Sequence, residues 1–342
     1  MSIRRLFVLL FVAALFAMGV RETLDPDMWW HLRTGESILQ HGIPRQDVFS
    51  FTVPHHAWVT HEWLAQVCMW LVYQAAGLPS LIVVFAALIA LTYWLLYVTC
   101  EGRPFLAAFV VLLAAMASAI VWGARPQIFN LLLTALFVLI LERVRRGQWP
   151  ARWLWSLPLL TLLWANLHSG YLLGVVLVGT YAVGEAAQRL LWPRDARARP
   201  WRLIAQLSGV ALVSFLAAAL NPNGVALWTY PFETLSSPSM QAFIQEWHPP
   251  DFNLRIFWPF AALLGLGVLS FVFSPRRPTA AELLLFGGTA WAALTSARNV
   301  PLFAIIVTPI IVRHLLLALP GARLAVWAGG RQPEAPLPPR LR

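Results

Sequence analysis

The chain has 342 residues, of which 59% are hydrophobic and only 12% charged, and its mean hydropathy is +0.67. A soluble domain carries about 25% charged residues, so this composition argues against a water-soluble fold and points to lipid as the solvent. The net charge of +10 is no nucleic-acid footprint: there is no lysine, and the arginines recur in short clusters between apolar runs (Arg143/Arg145/Arg146, Arg194/Arg197/Arg199/Arg202, Arg276/Arg277) rather than in one patch.

Arg4 and Arg5 followed by Leu6 to Val20 resemble a signal peptide, but the small-residue cleavage pattern is weak and the segment reads as an uncleaved first span. With about 20 apolar residues per span, an all-α polytopic protein of about ten spans is expected. They fall near 4–21, 78–100, 104–123, 126–143, 152–167, 170–191, 203–220, 255–273, 281–297 and 300–319. A cytoplasmic N-terminus then puts every arginine cluster and the basic C-terminal end inside, as the positive-inside rule requires.

Two outer loops are long, from about 22 to 77 and from about 221 to 254. In the first, 27–41 is amphipathic and predicts a helix on the membrane, with Met28, Trp29, Leu32 and Leu39 available to face lipid. Residues 58–76 are more apolar. As a span they would invert every later loop and move the arginine clusters outside, so the charge rule favours a surface or re-entrant helix. Eighteen tryptophans suit anchoring at the headgroup level. The chain reads as one membrane domain over 1–320, without internal repeats, followed by a flexible basic cytoplasmic tail over 321–342. Cys68 and Cys100 lie in apolar stretches and predict neither a disulfide framework nor a metal site.

This topology gathers proton-transferring groups on the outer face. Seven of the eight histidines (His31, His41, His55, His56, His61, His168, His248) lie there, with nine acids: Glu22, Asp25, Asp27, Glu36, Asp47, Glu62, Glu233, Glu246 and Asp251. Longer outer loops account for part of that asymmetry. Asp25-Pro26-Asp27 reads first as a helix start, with Asp25 the N-cap, Pro26 at the first helical position and Asp27 favourable to the dipole. It reads equally as a rigid carboxylate serving as general base or metal ligand. His31, four residues after Asp27, shares its helix face.

His55-His56 and His61-Glu62 invite a metal, but Ala65 stands where a zinc-protease motif needs histidine. Magnesium or manganese on Asp25, Asp27 or Glu62 fits the donor types better than structural zinc. Arg125-Pro126-Gln127 and Arg298-Asn299 open two outer helix starts, where arginine either snorkels or binds an anionic phosphate in its fork. Asn166, His168 and Ser169 form the turn between two spans. In the second loop, Asn221-Pro222-Asn223-Gly224 is a turn signal, and Tyr230, Glu233, Glu246, Trp247 and His248 supply a polar and aromatic mix that suits either sugar stacking or a membrane interface.

A short N-terminus, one span, a long outer loop opening on an acidic pair, membrane-parallel helices and many short-looped spans together resemble the C-type (GT-C fold) membrane glycosyltransferases. The run Asp25-Pro26-Asp27-Met28-Trp29-Trp30-His31-Leu32-Arg33-Thr34-Gly35-Glu36 looks like a bacterial branch of that superfamily. His61-Glu62-Trp63, Arg125-Pro126-Gln127, Trp164 to His168, Asn221 to Gly224 and Arg298 to Pro301 share the likeness, which covers about residues 1–320. It implies hexosyl or pentosyl transfer from a polyprenyl-phosphate donor to a lipid, glycan or protein acceptor outside the cytoplasmic membrane, for building the cell envelope. Asp27 or Asp25 maps onto the superfamily's base or metal ligand. Arg125, Arg298, His168, Asn166, His31, His61, Glu62 and Glu246 are then the substrate- and phosphate-binding candidates. Many members carry a soluble C-terminal domain for the acceptor; this sequence shows none. A transporter or flippase for a lipid-linked or anionic solute stays open, with Glu185 its clearest ionisable residue within a span. So does a non-catalytic partner in envelope biosynthesis.

Overall fold

The computed structural model describes residues 2–22, 25–52 and 56–319, so His55 and the basic tail expected beyond 320 lie outside the described residues. The chain is built from α1 (Ile3–Gly19), α2 (Asp27–His41), α3 (Trp63–Thr99), α4 (Pro104–Ser118), α5 (Gln127–Arg145), α6 (Ser156–Leu167), α7 (Tyr171–Leu191), α8 (Trp201–Ala217), α9 (Ala226–Leu235), α10 (Pro238–Phe243), α11 (Trp258–Phe273), α12 (Ala280–Thr295) and α13 (Val300–Ala318). Among the described residues the one β pairing is an isolated antiparallel bridge between Gln46 and Ala57. Six helical segments are long and apolar enough to cross a membrane, those of α3, α4, α5, α7, α11 and α13; α1, α8 and α12 are apolar but shorter. Their outward faces carry exposed Leu10, Val183, Leu212, Val272 and Trp291, an apolar exterior that a water-soluble monomer does not sustain.

The expected helix over 27–41 is present with those bounds, but it is oriented differently from the expectation. Met28, His31, Leu32, Gly35 and Ile38 are buried, while Trp29 and Leu39 are exposed. That 3–4 spacing is one helix face, and it packs on α3 rather than on lipid, so Met28 and Leu32 do not face the bilayer. The stretch 58–76 is the first leg of α3. Non-helical dihedrals at Ala76 and at Gly77, whose φ of 69° favours glycine, bend the chain, and a second leg runs on to Thr99. The first leg, 63–75, rises roughly 20 Å at 1.5 Å per residue, short of a hydrocarbon core of about 30 Å. The second long loop, 221–254, is also more ordered than its turn signals foretold, since it folds into α9 and α10.

Helix direction places the polar groups. Arg125 precedes α5, His168 precedes α7 and Arg298 precedes α13, while Arg145, Arg189 and Arg313 lie in or near the last turns of the same three helices. Glu62 meets His168 at the starting ends, and Arg145 meets Glu185 at the finishing ends. The three helices therefore run the same way. The 19 residues of α5 separate a histidine–carboxylate end from an arginine end by roughly 28 Å at 1.5 Å per residue.

The α2–α3 approach is tight enough to test. A methyl group on Gly35 would run into the backbone carbonyl of Gln66, whereas one on Gly209 in α8 meets nothing within 4 Å. Gly35→Ala is expected to lower stability by about 1–3 kcal/mol through overpacking against rigid backbone. Gly209→Ala should be neutral or stabilising by up to about 1 kcal/mol through helix propensity. Thermal melts of both variants in one detergent check this; equal melting temperatures would mean that α2 is not packed on α3 as described.

Candidate functional site

Five helix starts converge at the histidine–carboxylate end, and the residues just before or within each first turn form the site: Asp25 and Asp27 at α2, Glu62 at α3, Arg125 at α5, His168 at α7 and Arg298 at α13. The helix opens at Asp27 with Pro26, not Asp25, at the N-cap position; Asp25, one residue before it, accepts the Asp27 backbone N–H at 3.0 Å. Both carboxylates then close on Arg125. Its Nε lies 3.1 Å from Asp25 Oδ2 and one terminal nitrogen 3.0 Å from Asp27 Oδ2, while the other terminal nitrogen donates to Glu246 Oε1 at 2.8 Å. One guanidinium thus joins the first loop, α5 and the second loop. The Asp27 side chain is 45% exposed against 19% for Asp25, so Asp27 is the carboxylate a substrate can reach. Burial lifts the Asp25 pKa above its ordinary value, against the opposing charge of Arg125.

Glu62 forms the second cluster. His61 Nε2 stands 3.1 Å from one oxygen and His168 Nε2 3.4 Å from the same oxygen, with His31 Nδ1 3.6 Å from the other. Burial of Glu62 works against its ionisation, yet His61, with His168 and His31, outweighs it and holds the carboxyl well below the usual range. Burial likewise drives His31 and His168 down to about 4, so both rings are neutral at pH 7. The tautomer of His168 follows from its neighbours. The Gly170 N–H donates to Nδ1 at 2.8 Å, which leaves the proton on Nε2, directed at Glu62. The buried anion is therefore held partly by neutral N–H donors. The two clusters sense one another: Asp27 and Arg125 both act on His31, and Arg298 acts on His168.

The remaining candidates divide. Arg298 lies over the Trp247 ring, 4.5 Å from its centroid, and its guanidinium has no hydrogen bond or ion pair among the described residues. Asn166 is engaged within the fold: its oxygen accepts from Trp63 Nε1 at 2.7 Å and Asn221 Nδ2 at 3.2 Å, and its nitrogen donates to Leu162 O. With His168 and Glu62, which are as buried, it shapes the site from beneath rather than lining its surface. One contributor was not legible as such: Gln66, four residues into α3, faces His31 Nδ1 at 3.3 Å. Tyr230, part of the aromatic mix read in the second loop, lies against the His61 ring at 4.3 Å. Among the described residues no group of three or more His, Cys, Asp and Glu is disposed to hold a metal ion. The carboxylates expected to do so face Arg125 and the histidines instead.

No protein-family model matches the chain, and no curated protein matches it.

The neutral histidines make stability depend on pH. As pH falls from about 6.5 to about 4, the unfolded chain protonates histidines that folded His31 and His168 leave neutral, so stability drops through that window, by about 1.4 kcal/mol per pH unit for each ring. Below about 4.5 the depressed Glu62 adds to the loss in the same direction, because the unfolded carboxylate takes its proton first. Denaturation followed at several pH values should show this slope in the wild type and a shallower one in His168→Gln. A wild-type stability that stays flat from pH 7 to pH 4.5 would rule out the neutral buried rings.

Proposed function

We propose that the chain is an integral membrane glycosyltransferase of the cytoplasmic membrane, moving a sugar from a polyprenyl-phosphate donor to an acceptor hydroxyl at the histidine–carboxylate end. In this reading the ten helices α1, α3 to α8 and α11 to α13 cross the bilayer, and the arginine end faces the cytoplasm, as the positive-inside rule asks. The observation that carries the reading is the pairing of two unlike groups at one membrane-proximal surface. Asp27 is held rigid yet exposed by Arg125, and Arg298 rests on Trp247 with no hydrogen bond or ion pair among the described residues. Transfer from a lipid phosphate needs a base for the acceptor and a cation for the leaving group, and these two supply them.

Asp27 removes the acceptor hydroxyl proton. The oxygen bonds to the anomeric carbon from the face opposite the phosphate, the bond from that carbon to the phosphate oxygen breaks, and polyprenyl phosphate departs with the electron pair. Arg298 meets the phosphate charge as it grows. The phosphate role shared in the sequence reading between Arg125 and Arg298 thus falls to Arg298, because Arg125 already carries three carboxylates. Tyr230 and Trp247 offer ring faces suited to a sugar. Transport is less well supported. It calls for ionisable groups near the bilayer midplane, and the middles of α5, α7 and α13 carry none.

The reading is tested with purified protein and polyprenyl-phosphate hexoses and pentoses carrying radiolabelled sugar. Asp27→Asn should lower transfer roughly 100-fold or more, the scale of a lost general base, with melting unchanged. Arg298→Gln should in addition abolish retention of polyprenyl phosphate seen by native mass spectrometry. Undiminished transfer by Asp27→Asn removes that residue from the chemistry. Absence of transfer and of retained lipid in the wild type would remove the enzyme reading itself.

A further inference from the structure

The arginine end holds a second polar site that owes nothing to the first. Arg145, deep in the bundle, bonds Glu185 at 2.5 Å through Nε and Thr279 at 2.7 Å through a terminal nitrogen. Arg313 bridges Glu142 and Glu282, and Arg146 bonds Glu142 at 2.9 Å and Glu101 at 3.1 Å. Arg143 completes the set on Glu101 at 3.2 Å. Four arginines and four glutamates balance there, and Arg197 is balanced by Asp195 at 2.7 Å. The network opens onto a cavity of about 340 Å³, whose wall includes Arg145, Arg146, Arg197, Arg199, Arg276 and Arg313.

Two features of that wall are left over. The side chains of Arg199 and Arg276 have no hydrogen bond or ion pair among the described residues, so the cavity carries two positive charges beyond those its own acids neutralise. His314 also lines it and is 2% exposed. Its Nδ1 has no hydrogen-bond partner, and its Nε2 stands 3.5 Å from Glu282 without forming one. A buried ring with no hydrogen bond on either nitrogen is uncommon, and a ligand or ordered water is the usual explanation. An excess of guanidinium forks around a hollow of small-ligand size, with a buried imidazole on the wall, is chemistry that suits the oxygens of a phosphate group.

We propose that this cavity, at the opposite end of the bundle from the candidate catalytic site, binds a phosphate-bearing anion, clamped by Arg199 and Arg276 and backed by the balanced arginine–glutamate network. The anion is either a soluble phosphate compound from the aqueous side or a phosphate headgroup from the adjoining leaflet. The proposal does not depend on the glycosyltransferase reading.

The test uses full-length protein in nanodiscs of phosphatidylcholine, titrated with pyrophosphate by calorimetry, and parallel nanodiscs containing phosphatidic acid, read by lipid retention in native mass spectrometry. Arg276 is exposed and Arg199 half-buried, and neither side chain bonds another residue among those described, so Arg199→Gln/Arg276→Gln should fold with an unchanged melting temperature when no ligand is present. It should weaken binding about tenfold or more, as expected for the loss of charge-assisted hydrogen bonds. Arg194→Gln/Arg202→Gln removes the same charge away from the cavity and should leave binding intact. Saturable pyrophosphate binding lost only in the first double variant supports the site with a soluble anion as ligand. Retention of phosphatidic acid lost only in that variant supports it with a lipid headgroup. Binding of neither probe, or equal weakening by both double variants, overturns the proposal.

Discussion

The arrangement at the histidine–carboxylate end depends on Arg125. Its guanidinium is the one cation facing Asp25, Asp27 and Glu246 together, and those acids come from segments about 100 and 120 residues away in the chain. Such pairs are only partly shielded from water, so each adds modestly to stability, but together they set geometry. Without the guanidinium, three carboxylates would crowd one pocket, and like charges at that range repel. The second loop is fastened at the same place from the other side. Ser296 donates to the Glu246 carbonyl at 3.0 Å, and the Ala297 N–H donates to the His248 carbonyl at 2.9 Å. Arg298 follows directly, so the bond that seats Glu246 on Arg125 also seats Trp247 beneath Arg298.

A second constraint is the shared direction of α5, α7 and α13. Each helix start carries partial positive charge and each helix end partial negative charge. Arginines at the ends are favoured by that field, whereas Arg125 and Arg298 at two of the starts work against it and are offset by the three carboxylates on Arg125 and by the Trp247 ring beneath Arg298. Between the ends these helices are apolar, as a bilayer requires, since a lone charge at its centre is costly. The acids that do enter apolar helices, Glu142, Glu185 and Glu282, sit close to the arginine end and within reach of Arg145. A buried charge persists only when paired and hydrogen-bonded, and here Tyr181 and Thr279 add hydroxyl donors.

How much of this was legible follows from the range of the signals. The helix over 27–41, the helix starts after Arg125 and after Arg298 and the turn at 166–169 all rest on local patterns: apolar spacing, proline at a first turn, a polar break between apolar runs. Those patterns do not say what a face packs against. Met28 and Leu32 looked fit for lipid, and Gly35 shows why they turn inward, because its missing side chain lets α2 lie against the backbone of α3. Asn166 looked available to a substrate because its partners, Trp63 and Asn221, are distant in sequence. The arginine clusters read as topology signals, which masked the pairing of Arg145 with acids on α7 and α12; Arg313, outside those clusters, pairs with acids on α5 and α12. A glutamate inside an apolar run was the available sign, at Glu142 and Glu282 as well as at Glu185.

The two carboxylates beside Arg125 are not equivalent, and the difference comes from the backbone. Asp25 turns one oxygen onto the Asp27 amide and the other onto Arg125, so both of its acceptors are committed. Asp27 gives one oxygen to Arg125 and receives only a long 3.4 Å contact from the Trp30 indole on the other. That second oxygen, on the more exposed side chain, is free to accept a proton. A general base needs fixed geometry and an open lone pair at once. Asp25 supplies the first, and Asp27, two residues on, keeps the second. In the glycosyltransferase reading proposed above, the two roles are divided between the pair, and the contact of Asp25 with the Asp27 amide is what holds Asp27 in place.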